Sequence, residues 1–238
     1  KKVIENTNAK VITFGINNKA DYSAEKISFD SKGYPAFMLN NKCKSLYPIK
    51  LSVMGIHNIY NALASIAVAE ILGIPMETVI DSLKIFKGTH RRLELKGYIN
   101  GIKIIDDYAH HPTEIKASLK ALRNITKNNI WCIFQPHTYT RTKLLLDSFS
   151  EAFSDADKVI IPDIYAAREK DSGLVHSTDL VKALVEKGVD AKYISSFENI
   201  EDYIINNAKE GDIVVTMGAG NVYKIGESLL NSDKKEAI

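Results

Sequence analysis

Short apolar runs alternate with segments of helical periodicity throughout the second half of the chain, and this alternation constrains the fold most. The apolar runs predict strands at residues 93–99, 102–106, 130–134, 158–161, 191–194 and 213–216. The periodic segments predict helices at residues 112–123, 142–153, 177–186, 200–207 and 222–230. After an opening hairpin turned at Asn100-Gly101, such a βαβ series predicts an α/β, Rossmann-like domain. Its sheet is expected to be mostly parallel, with helices on both faces.

The preceding residues have a different organisation, with short strands followed by two helices. The strands are predicted at residues 11–14, 26–29, 34–39 and 46–51, separated by turns at 17–18, 30–33 and 40–41. Residues 57–72 are apolar on nearly every face, which predicts a buried helix, and Pro75 begins a second helix that ends near residue 86. We place a domain boundary near Arg91, which divides the chain into residues 1–90 and 91–238.

The composition narrows the class of protein. The 238 residues are 45% hydrophobic and carry a net charge of +2, so they can form a core but offer no polybasic surface for nucleic acid. The two cysteines lack metal or redox spacing, and no apolar run is long enough for membrane insertion, so a cytoplasmic protein is expected. The chain begins with neither a signal peptide nor Met, and we expect it to start within a longer protein.

Residues 106–114 place carboxylates, a phenol and two imidazoles at a predicted strand-to-helix turn. Ligands of α/β sheets bind at the carboxyl ends of strands. We interpret Asp107 and His110 as functional, because packing does not explain a run of polar groups, and Glu114 as a residue that stabilises the start of the helix. A zinc site is disfavoured, because adjacent histidines seldom face one metal and no pair of the histidines has helical i, i+4 spacing. Its ligands would be Asp107, His110, His111 and His137.

Polar residues at two other predicted helix starts also suggest ligand binding. Arg141 follows the strand at 130–134 and lies near a helix amino end, where a guanidinium suits a carboxylate or phosphate. Asn58 and Asn61 share one helix face. Capping explains one of them, and a pair of amides suits the edge of a purine base. At the predicted boundary, Arg91-Arg92 is equally compatible with a nucleotide clamp and with exposed linker charge.

Two patterns concern phosphate binding. The sequence at 217–226 begins like a dinucleotide loop, but Tyr223 occupies the third glycine position and the strand before it is the last one. It therefore predicts close backbone packing rather than an NAD site. The sequence contains no GxxxxGK[ST] phosphate loop, and phosphoryl transfer from ATP requires such backbone donors, a lysine and metal ligands.

Together these motifs closely resemble the Mur ligases, the ATP-dependent amino-acid ligases of peptidoglycan synthesis. The resemblance covers about residues 20–230 and is carried by GIHNIYNALASIAVA, the Thr89–Leu93 hinge, DDYAHHPTEI, FQPHTYTRT and MGAGNVYKIGE. The FQPHTYTRT segment is similar to the branch of the family that joins L-alanine to UDP-N-acetylmuramate. The related branch that recycles murein tripeptide shares the hinge and the histidine motif but lacks this segment.

The family has a UDP-substrate domain, a central ATPase domain and a Rossmann-like C-terminal domain. The resemblance implies that residues 1–90 are the end of the central domain and that residues 91–238 are the C-terminal domain. The phosphate loop and most ligands of Mg²⁺ would lie upstream of Lys1, so this chain alone is expected to be inactive.

The resemblance also implies roles for single residues. Adenine of ATP would be contacted by His57, Asn58 and Asn61. The rest of the nucleotide would be held by Arg92 and Asp107. The muramyl carboxylate and the incoming L-alanine would face Tyr108, His110 and Arg141, of which His110 and Arg141 would be catalytic. No residue of the chain is assigned to a metal.

The implied reaction has two steps. ATP phosphorylates the muramyl carboxylate, and the amine of L-alanine attacks the acyl phosphate while Arg141 stabilises the developing charge and domain closure excludes water. Two positions depart from the family, because Thr138 stands where some members have Arg and Asn221 where Asp is frequent. The alternative from another class is a nucleotide- or amino-acid-binding module without catalysis.

Overall fold

The structure is a computed structural model that describes residues 7–16 and 18–232. Residues 1–6, on which the expectation of an internal start rests, and Asn17 of the first predicted turn lie outside the described residues. The chain separates into two compact units, one ending at Gly88 and the other beginning at Thr89.

The first unit is a four-stranded sheet with two helices, as predicted. Strands β1 (Phe14–Ile16), β2 (Tyr22–Phe29), β3 (Pro35–Asn40) and β4 (Leu46–Lys50) lie side by side in chain order. Strand β1 is parallel to β2, and the other pairs are antiparallel. Strand β2 begins four residues earlier than predicted, because a bulge at Lys26 (φ 51°) interrupts the alternation that marks a strand in the sequence.

Helix α1 (His57–Ile71) is buried along one stripe only, and the prediction of a helix buried all round is wrong. Its residues Ile59, Leu63 and Ile66 are fully buried in the core of the unit, whereas Val68 and Ile71 are 55% and 59% exposed. The sheet of the first unit packs against one side of the helix, so the apolar residues on the other side remain exposed among the described residues. Gly73 (φ 72°) ends the helix as predicted, and α2 (Met76–Ile85) follows.

The second unit is a six-stranded sheet with helices on both faces. Its strands are β5 (Glu94–Ile99), β6 (Ile102–Asp107), β7 (Ile130–Phe134), β8 (Lys158–Ile161), β9 (Ala191–Tyr193) and β10 (Ile213–Met217). They lie in the order β5-β6-β10-β7-β8-β9, and only β5 is antiparallel to its neighbour. The predicted hairpin turn is present at Asn100 and Gly101, whose φ angles of 48° and 74° suit a type I′ turn. The predicted mostly parallel sheet is confirmed.

The helices of the second unit are α3 (Pro112–Arg123), α4 (Tyr139–Leu144), α5 (Leu146–Ser150), α6 (Ser177–Glu186), α7 (Phe197–Asn207) and α8 (Tyr223–Ser232). Helices α7 and α8 share a core with one face of the sheet, and α3 and α5 pack on the other. The single helix predicted at 142–153 is wrong, because the chain turns at Leu145 (φ −107°, ψ 16°). Three leucines in succession, residues 144–146, contain no residue that signals a break, so the sequence pattern continues one helix through this turn. No described helix is long and apolar enough to cross a membrane.

The register of the sheet brings three strand ends to one place. Asp107 at the end of β6 is paired with Met217 of β10, and Met217 is paired with Phe134 of β7. The segments that follow these residues therefore leave the carboxyl edge of the sheet side by side, where α/β proteins bind ligands.

Candidate functional site

Five side chains from these segments and a neighbouring loop form a group that we call the edge cluster: Tyr108, His110, His137, Arg141 and Tyr165. The rings of Tyr108 and His110 meet edge to face with centroids 5.4 Å apart, and the His110 and His137 rings are 6.1 Å apart. The His137 ring stacks on Tyr165 at 5.6 Å. The structure therefore brings together the three residues that the sequence assigns to substrate and adds two that it does not.

Arg141 is held by the first turn of α4. Thr138 caps this helix, and its hydroxyl accepts a hydrogen bond of 3.5 Å from the Arg141 backbone N–H. The Arg141 Nη1 atom lies 3.2 Å from Nδ1 of His137. Thr138 has φ 66°, which is strained for a β-branched residue, and such strain is concentrated at functional sites.

Glu169 joins this turn from the loop that follows β8. Its carboxylate accepts hydrogen bonds from the backbone N–H of Thr140 (3.0 Å) and from the Thr140 hydroxyl. Glu169 thus places a negative charge against the turn that contains Arg141, and the hydrogen bonds from Thr140 hold the pKa of Glu169 below the usual range. It was not recognised from the sequence because the contact joins residues far apart in the chain.

The pKa of His137 lies below its ordinary value of 6.5. Burial is the largest cause, and the nearby Arg141 and His110 act in the same direction, while Glu169 opposes them. The imidazole is therefore neutral at physiological pH.

In the segment between β6 and α3, His110 belongs to the edge cluster, whereas His111 caps the helix. His110 Nδ1 lies 2.9 Å from the Tyr108 carbonyl oxygen. His111 caps α3, and Glu114 completes the capping box by accepting from the His111 N–H. Burial raises the pKa of Glu114, but the backbone N–H groups of His110 and His111 and the charge of Arg92 more than offset this and lower it. The predicted helix-stabilising role of Glu114 matches these contacts.

Asp107 lies beneath this segment and is only 2% exposed. Its carboxylate accepts hydrogen bonds from Leu93 N–H (2.9 Å), Ala109 N–H (2.7 Å) and the Ser118 hydroxyl (3.1 Å). Burial nevertheless raises its pKa above the ordinary value. Asp107 thus links the start of β5, the end of β6 and α3, and its nucleotide-binding role stays a prediction.

The structure separates the two arginines of the hinge sequence. Arg91 turns inward, where Nε contacts the buried Asp106 at 2.8 Å and Nη2 contacts the Gly218 carbonyl at 2.7 Å. Its guanidinium also lies over the rings of Tyr108 and Tyr223 at 4.9 and 4.7 Å. Arg91 therefore ties β6 to the glycine-rich turn after β10. Sequence patterns do not distinguish Arg91 from Arg92, because the inward path of Arg91 accompanies a backbone φ of 57° that no local pattern indicates.

Arg92 turns outward. Its side chain is 50% exposed, and Nη1 lies 3.7 Å from a Glu114 oxygen. The guanidinium also lies 5.8 Å from the centre of the Tyr108 ring. Of the two arginines, Arg92 is the one with an exposed side chain, and its assignment to the nucleotide stays a prediction.

The glycine-rich turn after β10 packs closely on the end of β7, as predicted. A Cβ on Gly218 would lie 2.8 Å from the Gln135 carbonyl oxygen, and one on Gly220 would lie 2.6 Å from Gln135 Oε1. The side-chain oxygens of Gln135 and Asn221 are both buried without a hydrogen-bond partner among the described residues.

In the first unit, two asparagines form a hydrogen-bonded series at the start of α1. Asn61 donates to the Asn58 side-chain oxygen (2.9 Å), and Asn58 donates to the Met54 carbonyl (2.7 Å). His57 Nε2 lies 3.3 Å from the same Asn58 amide. Both asparagines line a cavity of about 440 Å³ between α1 and α2, whose other lining residues are mainly apolar. Fixed amides beside an apolar cavity suit a flat heterocycle with polar edges.

Comparison with known protein families finds a match in each unit of the chain. The profile of the Mur ligase, glutamate ligase domain matches residues 91–220, and that of the Mur ligase middle domain matches residues 1–69. A UDP-N-acetylmuramate–L-alanine ligase of Caldanaerobacter subterraneus is 50% identical over 98% of this chain and 51% of its own length. The chain thus spans about half the length of the curated relatives it matches.

Solved structures show the same fold. A UDP-N-acetylmuramate–alanine ligase of Thermotoga maritima superposes with a TM-score of 0.79 at 28% identity, over 94% of this chain and 48% of that one. A murein peptide ligase of Psychrobacter arcticus gives 0.67 at 28% identity, over 92% and 45%. With its second unit matched by one domain profile of the family and its first unit matched by the other, the chain belongs to the Mur ligase family.

Proposed function

We propose that this chain forms the part of an ATP-dependent ligase that receives L-alanine and joins it to the carboxylate of UDP-N-acetylmuramate in peptidoglycan synthesis. The observation that carries the proposal is the edge cluster, in which a guanidinium and two imidazoles converge at the carboxyl edge of a parallel sheet. The names of the curated relatives, which are similar along nearly the whole chain, support the same reaction.

We assign the muramyl carboxylate and the amino acid to Tyr108, His110 and Arg141. Both substrates carry carboxylates, and a guanidinium binds carboxylates strongly through paired N–H donors. Arg141 is partly buried, so its charge is screened less by water than that of an exposed arginine. The same charge would stabilise the negative oxygen that forms when the amine attacks.

The chain's contribution to the joining step is therefore charge stabilisation and proton removal. The nitrogen of L-alanine forms a bond to the carboxyl carbon, and the bond from that carbon to the phosphate oxygen breaks. The amine loses a proton during this step, and we assign His110 as its acceptor because it lies in the edge cluster beside Arg141 and its partner His137.

We assign the nucleotide to two sets of residues, one in each unit. In the first unit, His57, Asn58 and Asn61 are assigned to adenine, supported by the fixed amides and the apolar cavity beside them. In the second unit, the exposed Arg92 is assigned to the nucleotide, and Asp107 keeps this assignment because a carboxylate can accept about four hydrogen bonds.

ATP would supply the activated carboxyl group, as an acyl phosphate, in the complete protein. Among the described residues, no three His, Cys, Asp or Glu side chains are grouped to hold a metal. Since the chain spans about half the length of the relatives it matches, we assign the ligands of Mg²⁺ and the phosphate loop to the rest of the complete protein. A cytoplasmic location is proposed for the reaction, in line with the two free cysteines.

Phosphate release tests the proposal. The complete protein should release phosphate from ATP only when UDP-N-acetylmuramate, L-alanine and Mg²⁺ are all present, and the 238-residue chain alone should release none. Release without any need for L-alanine would contradict the assignment, and a preference for murein tripeptide would favour the recycling ligase.

The missing phosphate loop favours one alternative, a binding module without catalysis. Calorimetric titration distinguishes the two for the complete protein. A ligase should bind ATP and turn it over, whereas a binding module should bind ATP or L-alanine with no product.

A further inference from the structure

His137 occupies the centre of the edge cluster, between Arg141 and His110. Its Nδ1 lies 3.2 Å from Nη1 of Arg141. A guanidinium has only donors, so Nδ1 must be the acceptor in this hydrogen bond. The ring hydrogen of the neutral imidazole therefore lies on Nε2.

The backbone holds the His137 ring in this orientation. His137 and Tyr165 form an isolated β-bridge, in which Thr138 N–H donates to the Tyr165 carbonyl (2.9 Å) and Tyr165 N–H donates to the Pro136 carbonyl (2.8 Å). The same bridge stacks the Tyr165 ring on the imidazole at an interplanar angle of 24°. The ring therefore has little freedom to turn away from Arg141.

The other imidazole of the cluster has the opposite arrangement. Nδ1 of His110 lies 2.9 Å from the Tyr108 carbonyl oxygen, which can only accept. The hydrogen of neutral His110 therefore lies on Nδ1, and its Nε2 carries a lone pair. The two rings, 6.1 Å apart, thus carry a donor at Nε2 of His137 and an acceptor at Nε2 of His110.

We propose that His137 is a positioning residue, which fixes the guanidinium of Arg141 for a carboxylate and keeps the hydrogen on its own Nε2 as an additional donor beside it. His110, with the opposite tautomer, is left as the acceptor for the amine proton. Together the pair would recognise both ends of an α-amino acid. This inference rests on the proposed function and adds the residue that orients its main cation.

The positioning role requires His137 to be neutral, and the groups around its ring determine its protonation state. The groups that face it are Arg141 from α4, His110 from the segment before α3, and Tyr165 and Glu169 from the loop after β8. Protonation would remove the acceptor at Nδ1 and place two positive charges together. Because burial and the neighbouring Arg141 lower the pKa of His137, the arrangement persists at neutral pH and fails as the pH falls through that lowered pKa.

Nitrogen NMR of the histidine side chains tests the tautomers without substrate. In the ¹⁵N-histidine-labelled 238-residue chain at pH 7, His137 should carry hydrogen on Nε2 only and His110 on Nδ1 only. His137→Phe and His110→Phe assign the two signals by their loss. A His137 ring that is charged, or that carries its hydrogen on Nδ1, would overturn the inference, whatever reaction the protein catalyses.

Kinetics of the complete protein test the positioning role. His137→Phe keeps a ring to stack on Tyr165 but removes the acceptor, whereas His137→Asn keeps an oxygen near the position of Nδ1. Loss of a hydrogen bond to a charged group should lower kcat/KM for L-alanine about ten- to a hundred-fold in the Phe variant, and the Asn variant should recover most of it. The Phe variant should also lose the part of the acidic pH dependence that comes from His137.

Thermal unfolding of each variant establishes that it is folded. A folded Phe variant with unchanged kcat/KM and pH profile, or a folded Asn variant as poor as Phe, would overturn the role. Absence of alanine-dependent turnover in the unaltered protein would instead overturn the proposed function, and the NMR result would still decide the tautomers.

Discussion

At the scale of single residues, the same short segment contains groups with opposite uses. Asp107 is buried and accepts three internal hydrogen bonds, whereas the adjacent Tyr108 is 37% exposed and His110 faces the edge cluster. A buried carboxylate holds the backbone in shape, and the exposed groups beside it are thereby presented at fixed positions. The polar residues at 106–114 are therefore of two kinds, buried groups that hold the backbone and more exposed groups that are available to a ligand.

The support role makes a prediction for Asp107→Asn. The amide has one acceptor oxygen where the carboxylate has two, so at least one buried donor loses its partner, and the free energy of unfolding should fall by about 1–3 kcal/mol. Urea unfolding of the 238-residue chain, followed by fluorescence of Trp131, measures the change. The exposed Asp202→Asn in α7 is the matched control and should change stability by less than about 0.5 kcal/mol. Equal effects of the two changes would refute the support role.

At the scale of secondary-structure elements, the sequence patterns predicted the bounds of strands and helices best where local signals and packing agree. Strands β7 and β8 and helices α3 and α6 have their predicted bounds, because their apolar patterns are flanked by residues that favour turns or helix starts. The patterns failed at the Lys26 bulge and at the Leu145 break, where the backbone departs from regular geometry for reasons of packing.

The candidate site was predictable to the same extent. The positions of His110 and Arg141 after predicted strand ends marked them as candidates, and the family resemblance added Tyr108. The sequence assigned no role to Arg91 and His137 beyond open alternatives, because their partners come from other segments and their orientations depend on contacts between distant residues.

The contact between the glycine-rich turn and the end of β7 predicts that Gly220→Ala damages the edge cluster. The new methyl group would lie 2.6 Å from Gln135 Oε1 and 2.7 Å from the Tyr165 ring, so Tyr165 must move away from His137. We expect a loss of about 1–3 kcal/mol in stability and a changed His137 NMR signal. Gly15→Ala, whose methyl group meets nothing closer than 3.7 Å, is the control and should leave that signal unchanged. An unperturbed His137 signal in folded Gly220→Ala would disprove the close contact.

At the scale of the whole molecule, each unit has its own apolar core. The single tryptophan, Trp131, lies in the core of the second unit, where its ring N–H donates to the buried Asp212. Its fluorescence should therefore report unfolding of the second unit, while circular dichroism reports helices of both. We expect the two signals to give different urea midpoints, with the first unit unfolding earlier because α1 exposes Val68 and Ile71. Coincident midpoints would show that the chain unfolds as one cooperative body.

The position of β10 has a consequence for how the second unit assembles. This strand is made last of the six, yet it lies between β6 and β7. While a ribosome is still adding residues before Ile213, the emerging β6 and β7 have no central neighbour and each presents an unpaired backbone edge. The sheet can close only when β10 arrives. The nascent chain therefore has a long interval in which its central edges are open to chaperones or to other chains, and a message cut short before this strand would yield a product that retains those open edges.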